Sequence, residues 1–202
     1  MTHFLYVVRH GDASPHDGPL SPVGKQQAKL TGQRLKDIPF AEIYHGPLPR
    51  ATQTASLIAA FMPDIPVTSS DLVGDYLPSV PDPDGLPASF ARFLGHFSDA
   101  ERSEGPKLAA AAIRAFAQAG PAGTDNHTLL VTHNLLIGWL VSQALAAPAW
   151  RWLGVNQMNC AVSVIAYQPG LPPSLLTFND ARHLPAELCW TGFPPALRPS
   201  YD

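Results

Sequence analysis

The sequence predicts an α/β fold built on a mostly parallel central sheet. Two strand-like runs carry that prediction, and both end in the same way. Phe4-Leu-Tyr-Val-Val-Arg-His-Gly11 is short, apolar, rich in β-branched and aromatic residues and does not alternate, the pattern of a strand covered on both faces. Thr128-Leu-Leu-Val-Thr132 repeats that pattern and stops at His133, just before an apolar helix opens at Asn134. Helical stretches and weaker strand signals alternate between the two runs, as in a chain of βαβ units.

Taken in order, Asp12 to Pro19 is a loop rich in Asp, Gly and Pro that lies over the end of the first strand. Ser21 then caps a helix that Pro22 begins and that runs to about Asp37, ahead of Pro39. Phe40 to Tyr44 is a weak second strand. It leads through His45 and Gly46 to a second helix, whose Ala51, Ala55, Ile58 and Met62 share one face. Arg50 falls in the first turn of that helix, where free N–H groups and the helix dipole favour an anion. A cation there works against the dipole unless an anion is bound, which makes Arg50 more informative than an arginine elsewhere, although by itself it reads as a solvated surface residue. Ile65 to Thr68 reads as a third strand. From Asp71 to Pro87 the chain is irregular, with Asp75, Asp82 and Asp84 among four prolines (78, 81, 83 and 87) that can hold a carboxylate in place without regular structure. Ala88 to Phe97 and Lys107 to Gln118 read as helices, and the helix from Asn134 runs to about Leu145. Cys160 to Tyr167 and Ser174 to Phe178 close the fold as two strands, and the proline-rich tail from Phe193 packs as a strap.

Composition narrows the function classes. A chain of 202 residues holds one sizeable core, and residues 1–202 are read as a single domain. With 46% hydrophobic and 14% charged residues it is globular, and its 22 prolines are dispersed among apolar segments rather than gathered in a disordered tract. The net charge of −3 and the lack of any basic run give no reason to expect nucleic acid. No uninterrupted apolar run is long enough to span a bilayer and no leader-like segment opens the chain, so a cytoplasmic protein with no membrane partner is expected. Cys160 and Cys189 have no metal-ligand spacing and are read as reduced thiols. None of the 8 histidines pairs with another at the spacing of one helix face, so neither metal nor cofactor is expected.

Two histidines and two arginines at strand ends and helix starts, with a carboxylate-bearing loop, suit a phosphoryl group. Guanidiniums present donor forks that match phosphate oxygens. An imidazole attacks phosphorus only through an unprotonated nitrogen, and nearby arginines lower its pKa in that direction. His10 is therefore the candidate nucleophile, and His133 the candidate donor to the equatorial oxygens. A carboxylic acid must protonate the leaving oxygen and then take a proton from water.

Arg9-His10-Gly11, Leu20-Ser21-x-x-Gly24-x-x-Gln27-Ala28, Pro47-Leu48-x-Arg50-Ala51-x-Gln53-Thr54-Ala55 and Thr132-His133-Asn134 occur in this order. Together they resemble the motifs of the histidine phosphatase superfamily, also called phosphoglycerate mutase-like, over nearly the whole chain. The resemblance implies a three-layer α/β/α sandwich, His10 as the phosphorylated nucleophile, a phosphate pocket of Arg9, Arg50 and His133 with Asn134 beside it, and no metal. Within that superfamily, Asp75-Tyr-Leu-Pro-Ser-Val-Pro-Asp-Pro83 and Thr191-Gly192-Phe193-x-Pro195 resemble the proton-donor loop and tail of the PGAM5-type mitochondrial protein phosphatases, which makes Asp75 the expected acid. Relatives mostly use Glu there, one methylene longer, and Asp12, directly beside the nucleophile, stands as the alternative acid. His16 and Asp17 lie where mutases usually carry a phosphate-touching Asn, and His45 lies near a position that is often Ser. The expectation is a metal-independent phosphomonoester hydrolase working through phosphohistidine on a phosphorylated small molecule or phosphopeptide. A phosphoglycerate-type mutase and a non-catalytic phospho-ligand binding protein are the alternatives, and the oligomeric state stays open.

Overall fold

A computed structural model describes residues 1–13, 18–82, 84, 86–120 and 123–198. His16, Asp17, Pro83 and the end of the tail lie outside the described residues. The sheet has 6 strands in the order β3-β2-β4-β1-β5-β6. These are β1 (His3–Arg9), β2 (Phe40–His45), β3 (Val67–Ser69), β4 (Asn126–Thr132), β5 (Val162–Tyr167) and β6 (Ser174–Asp180). β3, β2, β4 and β1 pair in parallel, while β5 runs against both β1 and β6.

Strand residues alternate between two apolar clusters, so both faces of the sheet are covered. Leu5, Val7, Leu130 and Ile165 pack on one side with Ala112 and Phe116 of α4 (Asp99–Phe116) and Leu136, Ile137 and Leu140 of α5 (Asn134–Ala144). Val8, Ile43, Leu129 and Val131 pack on the other with Leu35 of α1 (Pro22–Leu35) and Ala55 and Ile58 of α2 (Pro49–Ala59). This two-sided burial is why the strand sequences are continuous apolar runs, and it gives the expected α/β/α sandwich.

Several boundaries differ from the sequence reading. β1 ends at Arg9, which leaves His10 and Gly11 just beyond the sheet. α1 stops at Leu35 rather than Asp37, and its predicted cap is in place, the Ser21 side chain accepting from the Gly24 N–H. Met62 is buried as expected but lies past the end of α2. β3 is a three-residue exposed edge strand at Val67–Ser69, displaced from Ile65 to Thr68. α3 is short (Ala88–Leu94). The largest correction is α4, which starts at Asp99 and not at Lys107, because Ser98 and Glu101 form a reciprocal capping box and Pro106 is carried inside the helix.

Register brings the site together. Arg9 pairs with Thr132 and His45 with Val131, so the carboxyl ends of β1, β2 and β4 finish level with one another. His10, His133 and the loop entering α2 therefore share one edge of the sheet, where open α/β folds hold ligands.

Candidate active site

His10 is fixed through its backbone and its ring. Its N–H donates to the Thr132 carbonyl at 2.9 Å, and its own carbonyl accepts from the Asn159 side-chain amide at 2.7 Å. Ring Nδ1 lies 2.8 Å from the Gly11 carbonyl, which can only accept, so Nδ1 carries the proton and Nε2 the lone pair. Burial, then the neighbouring His133 and Arg9, and more weakly Arg50, hold the ring well below the usual imidazole range against the opposing Gly11 hydrogen bond.

The sequence motifs turn out to be braces for this loop. Gly24 meets the backbone of Asp12 so closely that an added Cβ would lie 1.9 Å from the Asp12 carbonyl oxygen. Buried Gln27 accepts from the Asp12 N–H at 2.8 Å and donates to the Leu188 carbonyl and Thr191 hydroxyl at 2.7 and 2.8 Å. Thr54 accepts from the Gly11 N–H at 3.0 Å and donates to the Arg50 carbonyl at 2.7 Å, tying the His10 loop to the first turn of α2.

The His133 ring lies 5.0 Å from that of His10, centroid to centroid. One carboxylate oxygen of Asp75 accepts from the buried Arg50 guanidinium at 2.8 Å and sits 3.5 Å from His133 Nδ1. An oxyanion is thus already seated on two of the groups read as phosphate ligands, in the cavity that His10 also lines. Arg9 donates from Nη1 to the carbonyls of Gln157 and Gly192 at 2.8 and 3.0 Å. Gly192 has φ +81°, and a Cβ there would come within 2.6 Å of that nitrogen, so the tail needs glycine where it clasps Arg9. Burial pulls the Arg9 guanidinium down to about 10, with Asp75 opposing, which leaves it charged at neutral pH.

The two candidate acids separate. Asp75 lines a cavity of about 670 Å³ together with Arg9, His10 and Asn134. Asp12 does not line it, and its carboxylate accepts from the Ser21 hydroxyl at 2.6 Å. Asn134 faces the cavity, but its amide is engaged by Asn156 at 3.0 Å and by the Gln157 N–H at 2.9 Å. It braces the loop whose Gln157 carbonyl holds Arg9. His45 is buried, with Nδ1 donating to the Gly46 carbonyl at 2.8 Å, and it does not line the cavity. Gln157 and Asn159 were missed by sequence reasoning, and no local pattern marks either of them. Among the described residues, no three His, Cys, Asp or Glu side chains gather as a metal site.

Burial also lowers His183, to about 4, and shifts His3 and His127 downward, the same direction as His10. A histidine depressed on folding takes up its proton in the unfolded chain first. The contribution of these histidines to stability is therefore fully present above pH 6.5 and is expected to be lost as pH drops toward about 4. A thermal melting series across that window checks this, and a midpoint that rises on acidification contradicts it.

Three findings relate this geometry to known proteins. A profile of the histidine phosphatase superfamily (branch 1) matches residues 5–181. The serine/threonine-protein phosphatase PGAM5, mitochondrial, of Xenopus laevis is 28% identical over 92% of this chain and 68% of its own, and the Caenorhabditis elegans Pgam5 is 30% identical over 91% and 65%. The chain thus spans about two thirds of the length of these relatives. Among solved structures, Bacillus stearothermophilus YhfR superposes with a TM-score of 0.67 at 20% identity, covering 90% of this chain and 98% of that one, a likeness of fold.

Proposed function

Because the chain belongs to the histidine phosphatase superfamily, we propose that it is a phosphomonoester hydrolase acting through a covalent phosphohistidine on His10. The observation that carries this reading is the committed tautomer of His10. Nδ1 is held by the Gly11 carbonyl and the ring is kept neutral, which leaves the lone pair on Nε2, and His10 lines a cavity together with Arg9.

In the first step, Nε2 forms the bond to phosphorus as the ester P–O bond breaks. Arg9, Arg50 and His133 stabilise the charge on the equatorial oxygens. Asp75 gives its proton to the leaving oxygen. In the second step, Asp75 takes a proton from water, the water oxygen attacks phosphorus, and the P–N bond breaks to release phosphate and restore His10. Before that cycle Asp75 must leave Arg50, since the incoming phosphoryl group takes the same donors. The phosphate's own charge then favours the protonated carboxyl that the first step requires.

The relatives' names supply protein serine or threonine phosphate as one substrate class, and a small phosphomonoester suits the cavity equally. Those names also say mitochondrial, which gives the cytoplasmic expectation no support. Among the described residues, no helix is long and apolar enough to cross a membrane. The mutase alternative belongs to the same superfamily and shares the nucleophile. It differs in returning the phosphoryl group to substrate. The purified protein is expected to release phosphate from 4-nitrophenyl phosphate and not to interconvert 3- and 2-phosphoglycerate; efficient interconversion would overturn the hydrolase reading.

A further inference from the structure

Beyond the phosphoryl seat the cavity changes character. Its wall becomes Tyr76, Phe93, Phe97, Leu108 and Leu135. A second cavity of about 330 Å³ shares Phe93, Asn134 and Leu135 with it and continues along α3 to Phe90, Trp152 and Leu153. Phe93 stays 37% exposed on that wall, so it is not spent on the core. A residue of this size left facing a cavity is contact surface for something that enters.

Away from the phosphoryl end, the charged residues that line the cavity are carboxylates. Glu101 and Glu104 of α4 line it. Glu101 accepts from the Ser98 N–H and hydroxyl at 2.8 and 2.7 Å, and these bonds lower its pKa and keep it ionised. Glu104 pairs with Lys107 at 2.7 Å, but both are about two-thirds exposed, so solvent weakens that pairing. Arg102, the nearest other cation on α4, donates to the Phe97 and Leu94 carbonyls. Among the described lining residues, Arg9 is the one lysine or arginine, and it lies at the phosphoryl end.

The geometry points to a substrate whose leaving group is an apolar ring carrying no negative charge, seated between Phe93 and Leu135. This rests on the phosphatase reading and narrows it to a substrate class. A carboxylate or second phosphate on the leaving group would lie against an apolar wall with two carboxylates nearby and, among the described lining residues, no lysine or arginine away from the phosphoryl end, a desolvation cost with little compensation. An aromatic ring gains contact area and ring packing at the same place. A cationic tail is accepted as well, because Glu101 faces it.

The test compares kcat/KM for phenyl phosphate, 1-naphthyl phosphate, tyramine O-phosphate and 3-carboxyphenyl phosphate, whose phenols are similar in acidity, so that bond breaking is held nearly constant. The naphthyl ester is expected to exceed the phenyl ester by about tenfold, the worth of one additional packed ring. The tyramine ester should match or exceed phenyl phosphate, and the carboxyphenyl ester should fall about tenfold or more below it. Phe93→Ala, at a 37% exposed position, should bring the naphthyl-to-phenyl ratio close to one. Glu104→Lys, also exposed, should raise the carboxyphenyl-to-phenyl ratio several-fold. Equal values for the four esters, or a preference for the carboxyphenyl ester, would overturn the leaving-group assignment while leaving the phosphatase reading intact. Failure to hydrolyse any of the four would overturn the phosphatase reading and this assignment with it.

Discussion

His10→Ala is expected to lower kcat for 4-nitrophenyl phosphate by on the order of 10⁴-fold or more, the scale at which removal of a covalent nucleophile leaves only the binding pocket. The good leaving group matters, since it makes the result independent of the general acid. The pocket itself should survive. Arg50 is fixed by its place in α2, Arg9 by the Gln157 and Gly192 carbonyls, and neither depends on the His10 ring. Inorganic phosphate should therefore still bind the variant, visible by titration calorimetry or as protection against unfolding. A variant that keeps more than about a tenth of the wild-type kcat would remove His10 from the reaction.

Asp75→Asn is expected to divide substrates by leaving group. For an alkyl phosphate, whose alkoxide needs a proton as it departs, kcat should drop by about 10² to 10⁴-fold, the usual range for losing a positioned acid. For 4-nitrophenyl phosphate the first step should be nearly untouched while hydrolysis of the phosphoenzyme slows, because the same carboxylate activates water. Pre-steady-state mixing should then show a burst of nitrophenolate and a stalled phosphoprotein. A second consequence follows from the Arg50–Asp75 contact of 2.8 Å. Asparagine carries no charge to compete for that guanidinium, so phosphate affinity should rise. Asp12→Asn should do neither, because the Asp12 carboxylate is held by Ser21 at 2.6 Å outside the cavity. If the Asp12 variant shows the leaving-group split and the Asp75 variant does not, the acid is Asp12.

Periodicity placed His10, His133 and Arg50 at strand ends and a helix start, and the resemblance of the four ordered motifs to the superfamily supplied their expected roles. His10 and His133 end apolar strands, and strands covered on both faces have one possible ligand edge. Arg50 stood out because a cation in a first helical turn runs against the helix dipole, but its expected place in the phosphate pocket came from the motif resemblance. What was hidden depends on contacts distant in sequence. The Asn159 amide supports the His10 carbonyl across 149 residues, and Gly192 reaches Arg9 from the tail, and neither has a local signature. Asn134 was assigned to phosphate, yet its amide turns to Asn156 and Gln157, a choice that only the packed loop dictates. The start of α4 was missed because Gly105-Pro106 reads as a break. The Ser98-x-x-Glu101 capping box was present in the sequence and outweighs it. That misplacement carried a functional cost, since the first two turns of α4 bring Glu101 and Glu104 to the cavity.

The most direct test of the account is to find where phosphate rests during turnover. Wild-type protein quenched in base within milliseconds of mixing with a ³²P-labelled aryl phosphate should carry label that is stable to alkali, lost in acid and mapped by peptide sequencing to His10. It should be absent from His10→Ala and enriched in Asp75→Asn. Label on any other residue, or rapid turnover with no base-stable phosphoprotein at any time point, would contradict a mechanism through phosphohistidine at His10.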